Sequence, residues 1–310
     1  MMLARAFAAL FLLSLRRLIW SMNTVMLLLP LGGVALFVLG MHYAELPSTR
    51  MSERMFRKSQ IRSDEAAEVA RLARQVVAGK SSVASLVMAD PISAVTNPMR
   101  FDRVDKLAAR AVEKFSVELV MGLFTSFLLP VIALAYATTS LGGDREERTL
   151  LFLLVRPIPR ALILLAKTAA TLPVVMGVSV GAFSLYCLLA GPLGTRAYPL
   201  YLPVVIYTSI AYTGLFQLFA VCFRHSTMIA LMYSLFIETF LGNMPGIVKQ
   251  VAVNYYARSM MIDLGKLSPP ESWFIPVSTE TATLALAAIG TVSLLAGMII
   301  FQRREYRDLT

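Results

Sequence analysis

The stretch DREERTLLFLLVRPIPRALILLAK, residues Asp144–Lys167, decides how the rest of the chain is interpreted. It places a charged run and two prolines, Pro157 and Pro159, between two long apolar segments. A loop that only joined two membrane helices could be short and featureless. A charged and apolar segment of this length therefore predicts a surface that contacts a partner protein.

The same stretch has the pattern of a short amphipathic helix. Acidic residues at its start favour the N-terminal helix dipole, leucines at three- and four-residue spacing give an apolar face, and prolines end it. These residues are Asp144, Glu146 and Glu147, then Leu150, Leu153 and Leu154, then Pro157 and Pro159. Such a helix can lie in a groove of a partner protein. The alternative is an interfacial helix packed on lipid, with its charges in water.

The composition is that of an integral membrane protein. Hydrophobic residues make up 57% of the chain and charged residues 15%, and the mean hydropathy is +0.68. A net charge of +10 could suggest nucleic acid, but many arginines flank apolar segments, where they orient a chain in the membrane. We therefore expect contact with membrane lipid and none with nucleic acid. Cys187 and Cys222 lie in apolar segments and predict neither a disulfide nor a metal site.

Six segments have the ~20 apolar residues that a membrane-spanning helix needs. They are 18–40, 115–140, 161–190, 199–222, 226–246 and 280–301. The first follows Arg5, Arg16 and Arg17 and is too long for a signal peptide, so we expect an uncleaved anchor. Residues 1–17 suit an amphipathic helix at the membrane interface or a simple extension of the first span. The sequence thus predicts an all-α integral membrane protein, with a transmembrane domain over 18–310.

The distribution of basic residues predicts that both termini are cytoplasmic. Short segments on one side of the predicted spans carry 11 lysines and arginines, and those on the other side carry 4. The 11 are Arg5, Arg16, Arg17, Arg145, Arg148, Arg156, Arg160, Arg224, Arg303, Arg304 and Arg307, and the 4 are Arg196, Lys249, Arg258 and Lys266. Because cytoplasmic loops are enriched in such residues, the 141–160 loop is expected inside the cell.

Two longer connections should then face the outer side. Residues 41–114 predict a helical insert, because Ser63 can cap a helix whose apolar positions Val69, Leu72 and Val76 precede Gly79. The connection 247–279 contains Tyr255, Tyr256, Met260, Met261 and Trp273, which predicts short helices at the interface.

Motifs for catalysis are absent from the sequence. It contains no phosphate-binding G-x-x-x-x-G-K-[ST] or G-x-G-x-x-G pattern and no H-E-x-x-H, and its two histidines, His42 and His225, are far apart in the predicted topology. We therefore expect a chain that is not itself an enzyme, with no catalytic residue, metal or cofactor of its own.

The segment from Glu147 to Lys167 resembles the cytoplasmic hairpin of ABC type 2 exporter permeases. The matching positions are Glu147, Thr149, Leu150, Leu153, Leu154, Arg156, Pro157, Arg160 and Lys167. Arg148 and Leu151 stand where the family usually has glycine and glutamate. The resemblance implies a permease of the inner cell membrane, dimeric with itself or a similar subunit. It also implies separate ATPase subunits, which bind the ATP and meet the 144–160 hairpin.

Three polar residues inside the predicted spans have alternative interpretations. Glu238 can line a substrate pathway, or it can hydrogen-bond within the protein. Lys167 is close enough to the cytoplasmic face to extend its ammonium group to the surface, and Gln217 can join neighbouring helices.

For the whole chain, the alternative to a permease is a membrane anchor or signalling scaffold that binds a partner through the outer insert.

Overall fold

The computed structural model describes residues 63–91, 98–146, 159–238, 248–269 and 274–303, with the single positions 11, 12, 14, 33, 40, 242 and 246. Within these ranges every regular element is a helix and no strand occurs. The predicted all-α fold class is thereby confirmed.

The helices are numbered in chain order over the residues described. They are α1 Ser63–Val77, α2 Val83–Ala89, α3 Pro98–Lys114, α4 Leu129–Glu146, α5 Arg160–Leu189, α6 Pro192–Cys222, α7 Ser226–Met232, α8 Val253–Gly265 and α9 Thr279–Arg303. Two π-helical segments, Phe115–Leu128 and Tyr233–Glu238, and a 3-10 turn, Val248–Val251, complete the set.

Four helical stretches are long and apolar enough to cross a membrane. They are Met99–Gly143, Arg160–Leu189, Pro192–Cys222 and Thr279–Arg303, and Ser226–Glu238 is a shorter apolar helix. Most of the predicted first span, 18–40, and of the predicted interfacial helix, 1–17, lies outside the described residues. The count of six spans and the N-terminal helix therefore stay predictions.

Helix boundaries differ from the sequence prediction at two places. The predicted second span, 115–140, belongs to a longer helical stretch that begins in α3 and continues through the π-helical segment to Glu146. α4 continues through Gly142 and Gly143 to Glu146. Gly142 lies close to Ser226, since an added Cβ would be 2.8 Å from its Oγ. α6 begins at Pro192, seven residues before the predicted start at 199, because proline is well tolerated in the first turn of a helix.

The chain divides into two compact units. The smaller unit comprises the described parts of 33–121 together with 184–200. In it, α1 packs on α3 through Val69, Ala73 and Val77 on one side and Val104 and Leu107 on the other, all buried.

The end of α1 agrees with the predicted glycine stop. Gly79 has φ +71°, and the Lys80 N–H donates to the Gln75 carbonyl at 3.1 Å, which closes the helix with a left-handed cap. Arg196, near the start of α6, donates to the Val76 carbonyl in the same last turn. The described part of the insert forms α1, α2 and α3, so its predicted helical character is confirmed for these segments.

The larger unit contains the described parts of 122–183 and 201–303. An apolar cluster joins α4, α5, α6 and α9 near the 141–160 connection, through Leu141, Ile163, Leu164, Ala166, Ala220, Val221 and Phe301. α9 buries one face, made of Ala282, Leu286, Gly290, Ser293, Gly297 and Phe301. The connection 247–279 contains the 3-10 turn and α8, so its predicted short helices are confirmed.

Candidate coupling site and buried polar clusters

The predicted coupling residues lie mostly in the part of the chain that the structure does not describe. Glu147, Thr149, Leu150, Leu153, Leu154, Arg156 and Pro157 are all in the gap 147–158. Arg160 is described, and it is the exposed first residue of α5. Pro159 precedes it, and its carbonyl accepts from the N–H of Leu162 and of Ile163 at 2.9 and 3.4 Å.

The placement of Asp144 and Glu146 corrects one prediction. Both residues belong to the last turn of α4, so they do not begin a separate short helix. The expected favourable interaction with an N-terminal helix dipole is therefore wrong for these two residues. The physical reason is that α4 continues through Gly142 and Gly143, so Asp144 and Glu146 lie at the C-terminal end of a helix, where the dipole disfavours acidic residues.

Lys167 does not extend to the membrane surface, and the prediction of a surface anchor is wrong. Only 4% of the residue is exposed, and Nζ donates to the Ser140 carbonyl at 2.6 Å. A positive charge close to the C-terminal end of α4 also complements the negative end of that helix dipole. Lys167 therefore joins the two helices, α4 and α5, that lead into and out of the 147–158 segment.

Gln217 of α6 extends this contact into a cluster of four buried residues. Its Nε2 donates to Ser140 Oγ at 2.6 Å and to Thr171 Oγ1 at 3.4 Å. The prediction that Gln217 joins neighbouring helices is confirmed. We call Ser140, Lys167, Thr171 and Gln217 the polar node. All four residues are at most 4% exposed, so the node lies wholly within the protein.

Glu238 is completely buried and binds the start of another helix. Its Oε1 accepts from the Val253 N–H at 3.1 Å, and its Oε2 accepts from the Asn254 N–H at 2.8 Å. The first amides of a helix have no partner inside that helix, and Ala252, at the N-cap of α8, has no side-chain oxygen to accept from them. The carboxylate of Glu238 supplies the missing cap. The hydroxyls of Tyr212 and Tyr233 are close neighbours of the same carboxylate.

The π-helical segment 115–128 contacts the same helix α8. Ser126 Oγ donates to Asn254 Oδ1 at 3.1 Å, and Thr125 Oγ1 donates to Met261 Sδ at 3.5 Å. α8 is thus held at its N-terminus by Glu238 and on its side by this segment. The sequence does not predict the contact of Ser126 with Asn254, because partners 128 residues apart leave no local signal.

Two buried cations of the 247–279 connection lie against aromatic rings. Lys249 Nζ is 5.2 Å from the Phe274 ring centroid and 5.4 Å from that of Tyr255, and the Arg258 guanidinium is 5.0 Å from Phe274. Lys249 and Arg258 are only 6% and 8% exposed. Cation–π attraction of this kind stabilises a charged group that is removed from water.

The end of α8 is joined to the start of α9 by Asp263. Its Oδ2 accepts from the hydroxyl of Thr279 at 2.5 Å and from the Thr279 N–H at 2.8 Å. Both hydrogen bonds lower the pKa of the Asp263 carboxyl below its usual value, and the bond from the Thr279 hydroxyl has the larger effect. Asp263 therefore caps α9 as Glu238 caps α8.

Metal ligands do not cluster in the part of the chain that the structure describes. No group of three or more His, Cys, Asp or Glu side chains there could hold an ion. Cys187 is buried and Cys222 is half-buried, and neither forms a disulfide.

Several apolar helices of membrane-spanning length, in a chain whose described residues form helices and no strand, define a multi-pass membrane protein. The sequence profile described as "ABC-2 family transporter protein" matches residues 17–305, so the chain belongs to that family. The resemblance seen in the 147–167 segment is thereby confirmed. The chain is a membrane-spanning permease subunit of an ABC transporter, a class that acts with ABC ATPase subunits. A comparison with curated proteins finds no significant match.

Proposed function

We propose that this permease is an exporter that couples to separate ATPase subunits through its 144–160 hairpin. The observation that carries the proposal is the family match over residues 17–305, combined with the motif of the 147–167 segment. The ATPase subunits bind and hydrolyse ATP, and the permease supplies the path across the membrane. Movement of the ATPases displaces the hairpins and shifts the spans between states open to the two sides.

The contact between α4 and α5 supports a hairpin that moves as a unit. Lys167 joins the two helices by its hydrogen bond to the Ser140 carbonyl, and Leu141, Ile163 and Leu164 pack beside it. A hairpin whose two stems are fixed to each other can transmit a displacement to the spans. Two stems without such a contact would absorb the displacement by sliding.

The proposed topology places both termini and the hairpin on the cytoplasmic side of the inner membrane. It rests on the excess of basic residues in the N-terminal, 141–160 and C-terminal segments. Three of the four basic residues on the opposite side also have structural contacts, with Arg196 bound to Val76 and Lys249 and Arg258 packed on Phe274.

The functional unit is proposed to be a dimer of this chain or of this chain with a similar permease. Family resemblance is the basis of this proposal. α9 supports it in one respect, since Leu284, Val292, Leu295 and Ile299 are exposed large apolar side chains that lipid or a second subunit must cover.

A role for Glu238 in a substrate pathway remains one of two proposals for this residue. The carboxylate faces protein groups on three elements, namely α8, α6 through Tyr212 and the segment Tyr233–Glu238. Those contacts are sufficient to explain an acidic residue at this position as a helix cap.

The coupling proposal predicts that Leu150→Asp/Leu153→Asp abolishes stimulation of the ATPase and transport while the subunit stays in the membrane. A carboxylate placed in an apolar docking groove loses its hydration without compensation, at a cost of several kcal/mol. Co-purification of the ATPase with the tagged permease, and ATP hydrolysis by the complex, measure the effect.

The matched control is Leu150→Met/Leu153→Met, which keeps both side chains apolar and similar in volume. It should behave like the parent. Parental ATPase association and activity in the aspartate variant would contradict the coupling proposal.

A further inference from the structure

A row of aromatic rings leads from the protein surface toward Glu238. Four of the rings belong to α6 and follow one another at intervals of three or four residues, which places them on one side of the helix. The fifth ring is that of Tyr233, in the π-helical segment that ends at Glu238. We call the five residues the aromatic row, and they are Tyr212, Phe216, Phe219, Phe223 and Tyr233.

The rings of the aromatic row contact one another along its whole length. Phe223 and Phe219 meet edge to face with their centroids 6.1 Å apart, and Phe219 meets Tyr233 in the same way at 5.3 Å. The Phe216 centroid is 6.3 Å from that of Tyr233, and Tyr212 stacks on Phe216 at 5.5 Å. The row therefore forms a continuous aromatic surface.

The exposure of the rings falls from one end of the row to the other. Phe223 is 40% exposed, and Phe219 and Tyr233 are half-buried. Phe216 and Tyr212 are completely buried. A ligand can therefore meet the row at its exposed end and move inward between the half-buried pair.

The inner end of the row carries a negative charge. The hydroxyls of Tyr212 and Tyr233 are close neighbours of the Glu238 carboxylate, which is completely buried. The N–H groups of Val253 and Asn254 occupy two of the roughly four lone-pair positions of this carboxylate. Neither the N–H groups nor the hydroxyls neutralise its charge, so the carboxylate keeps the capacity to bind a cation.

Aromatic faces beside a carboxylate are suited to large organic cations. The face of an aromatic ring attracts positive charge, and the attraction is strongest where water is excluded. The same rings contact the apolar substituents around the charge of a lipophilic ammonium or phosphonium ion. A small hydrated cation would gain less, because it would give up its water for rings that supply no hydrogen-bond acceptor.

We infer that the aromatic row and Glu238 form a binding site for lipophilic organic cations. The cation enters between Phe219 and Tyr233, and the Glu238 carboxylate fixes its charge. The inference rests on the proposed function, since it names the substrate class of the exporter. It also gives Glu238 a place in the substrate pathway in addition to its role as the cap of α8.

Binding of labelled tetraphenylphosphonium to the purified permease in detergent tests the inference without an ATPase. Tetraphenylborate has nearly the same shape and the opposite charge, so it serves as the matched ligand. Binding to protein-free micelles is subtracted for both ions. The permease should bind tetraphenylphosphonium saturably, with an affinity at least about ten-fold higher than that for tetraphenylborate, because a carboxylate repels the anion.

Three variants assign the binding to this site. Glu238→Gln removes the charge and should raise the dissociation constant of tetraphenylphosphonium at least about ten-fold. Phe219→Leu and Tyr233→Leu each remove one ring and keep an apolar side chain. Each should raise the constant about two- to thirty-fold, the effect of one cation–π contact. Phe236→Leu is the control and should bind like the parent, since its ring is 56% exposed, in the same π-helical segment and outside the row.

Glu238→Gln also weakens the cap of α8, so its affinity is measured on monodisperse protein, and the two ring variants decide the test if it does not fold. The inference is overturned if the permease binds no tetraphenylphosphonium saturably, or binds tetraphenylborate equally well. Parental affinity in both ring variants, or in folded Glu238→Gln, also overturns it. Failure of an ATPase to associate with a permease that binds the cation would refute the proposed coupling and leave the cation site standing.

Discussion

At the scale of single residues, Glu238 shows how a carboxylate can be accommodated in an apolar segment. Both of its oxygens accept backbone N–H groups, from Val253 and Asn254, that would otherwise lack partners at the start of α8. The hydrogen bonds compensate for part of the lost hydration of the charge. Glu238 therefore stabilises the start of α8 in the 247–279 connection.

The cap predicts that Glu238→Gln lowers stability by about 1–3 kcal/mol, because one N–H of α8 then faces the NH₂ group of the amide and loses its acceptor. Glu238→Ala, which removes both acceptors, should lower stability further. Thermal unfolding in detergent and abundance in the membrane measure both effects. Glu280→Gln makes the same exchange at an exposed site and serves as control. Parental stability of Glu238→Gln with an altered pH dependence of transport would instead favour the pathway role.

Asp263 provides a prediction for the dependence of stability on pH. Its pKa is lowered by the hydroxyl and N–H of Thr279, so its stabilising contribution is complete above its unfolded pKa, about 4, and is lost as the pH falls through the lower folded value. The difference in melting temperature between the parent and Asp263→Asn should be constant from pH 7 to about 5. It should shrink below about pH 4.

Thr279→Val tests the cause of that dependence, since it removes the hydroxyl donor and keeps the N–H. The difference between parent and Asp263→Asn should be smaller in this background. A difference that persists unchanged to pH 3 would show that the carboxylate of Asp263 does not act as the cap.

At the scale of helices, α6 and α9 cross where two glycines meet. A Cβ added to Gly214 would overlap the Gly290 carbonyl oxygen and lie 2.8 Å from Gly290 Cα. Backbone atoms cannot rotate away as a side chain can, so the two helices would have to separate. Close approach of helices through small residues is a common way of packing membrane helices.

Gly214→Ala should therefore destabilise the protein by about 1–3 kcal/mol, the usual cost of overpacking. Thermal unfolding in detergent measures this effect. Gly177→Ala is the matched control, since a Cβ at Gly177 in α5 meets no atom within 4 Å and alanine favours the helix. Equal stability of the two variants would mean that α6 and α9 do not pack closely at these glycines.

At the scale of the whole molecule, the topology predicts which segments face each side of the membrane. Lys80→Cys in the insert should react with an impermeant maleimide on intact cells, in a background without Cys187 and Cys222. Arg148→Cys in the hairpin should react only after the membrane is permeabilised. Lys80 is preferable to Ser82 as the probe, because Ser82 caps α2 through its hydrogen bond from the Ser85 N–H. Reversed labelling would overturn the proposed orientation.

The sequence by itself determined the features that depend on local pattern. Apolar runs of membrane-spanning length, the helix that ends near Gly79 and the short helices of 247–279 follow from composition and spacing, because each helix satisfies its own backbone hydrogen bonds. The 147–167 motif indicated the ABC-2 family, which the match over 17–305 confirms.

Tertiary structure alone decided what the buried polar residues do. Lys167 binds the Ser140 carbonyl, Glu238 caps α8, and α4 continues past Gly142 to Glu146. These outcomes depend on partners distant in the chain, and nothing in the residues around Lys167 or Glu238 specifies those partners. In a medium without water, a polar group takes the nearest partner that packing provides, and packing is a property of the folded chain.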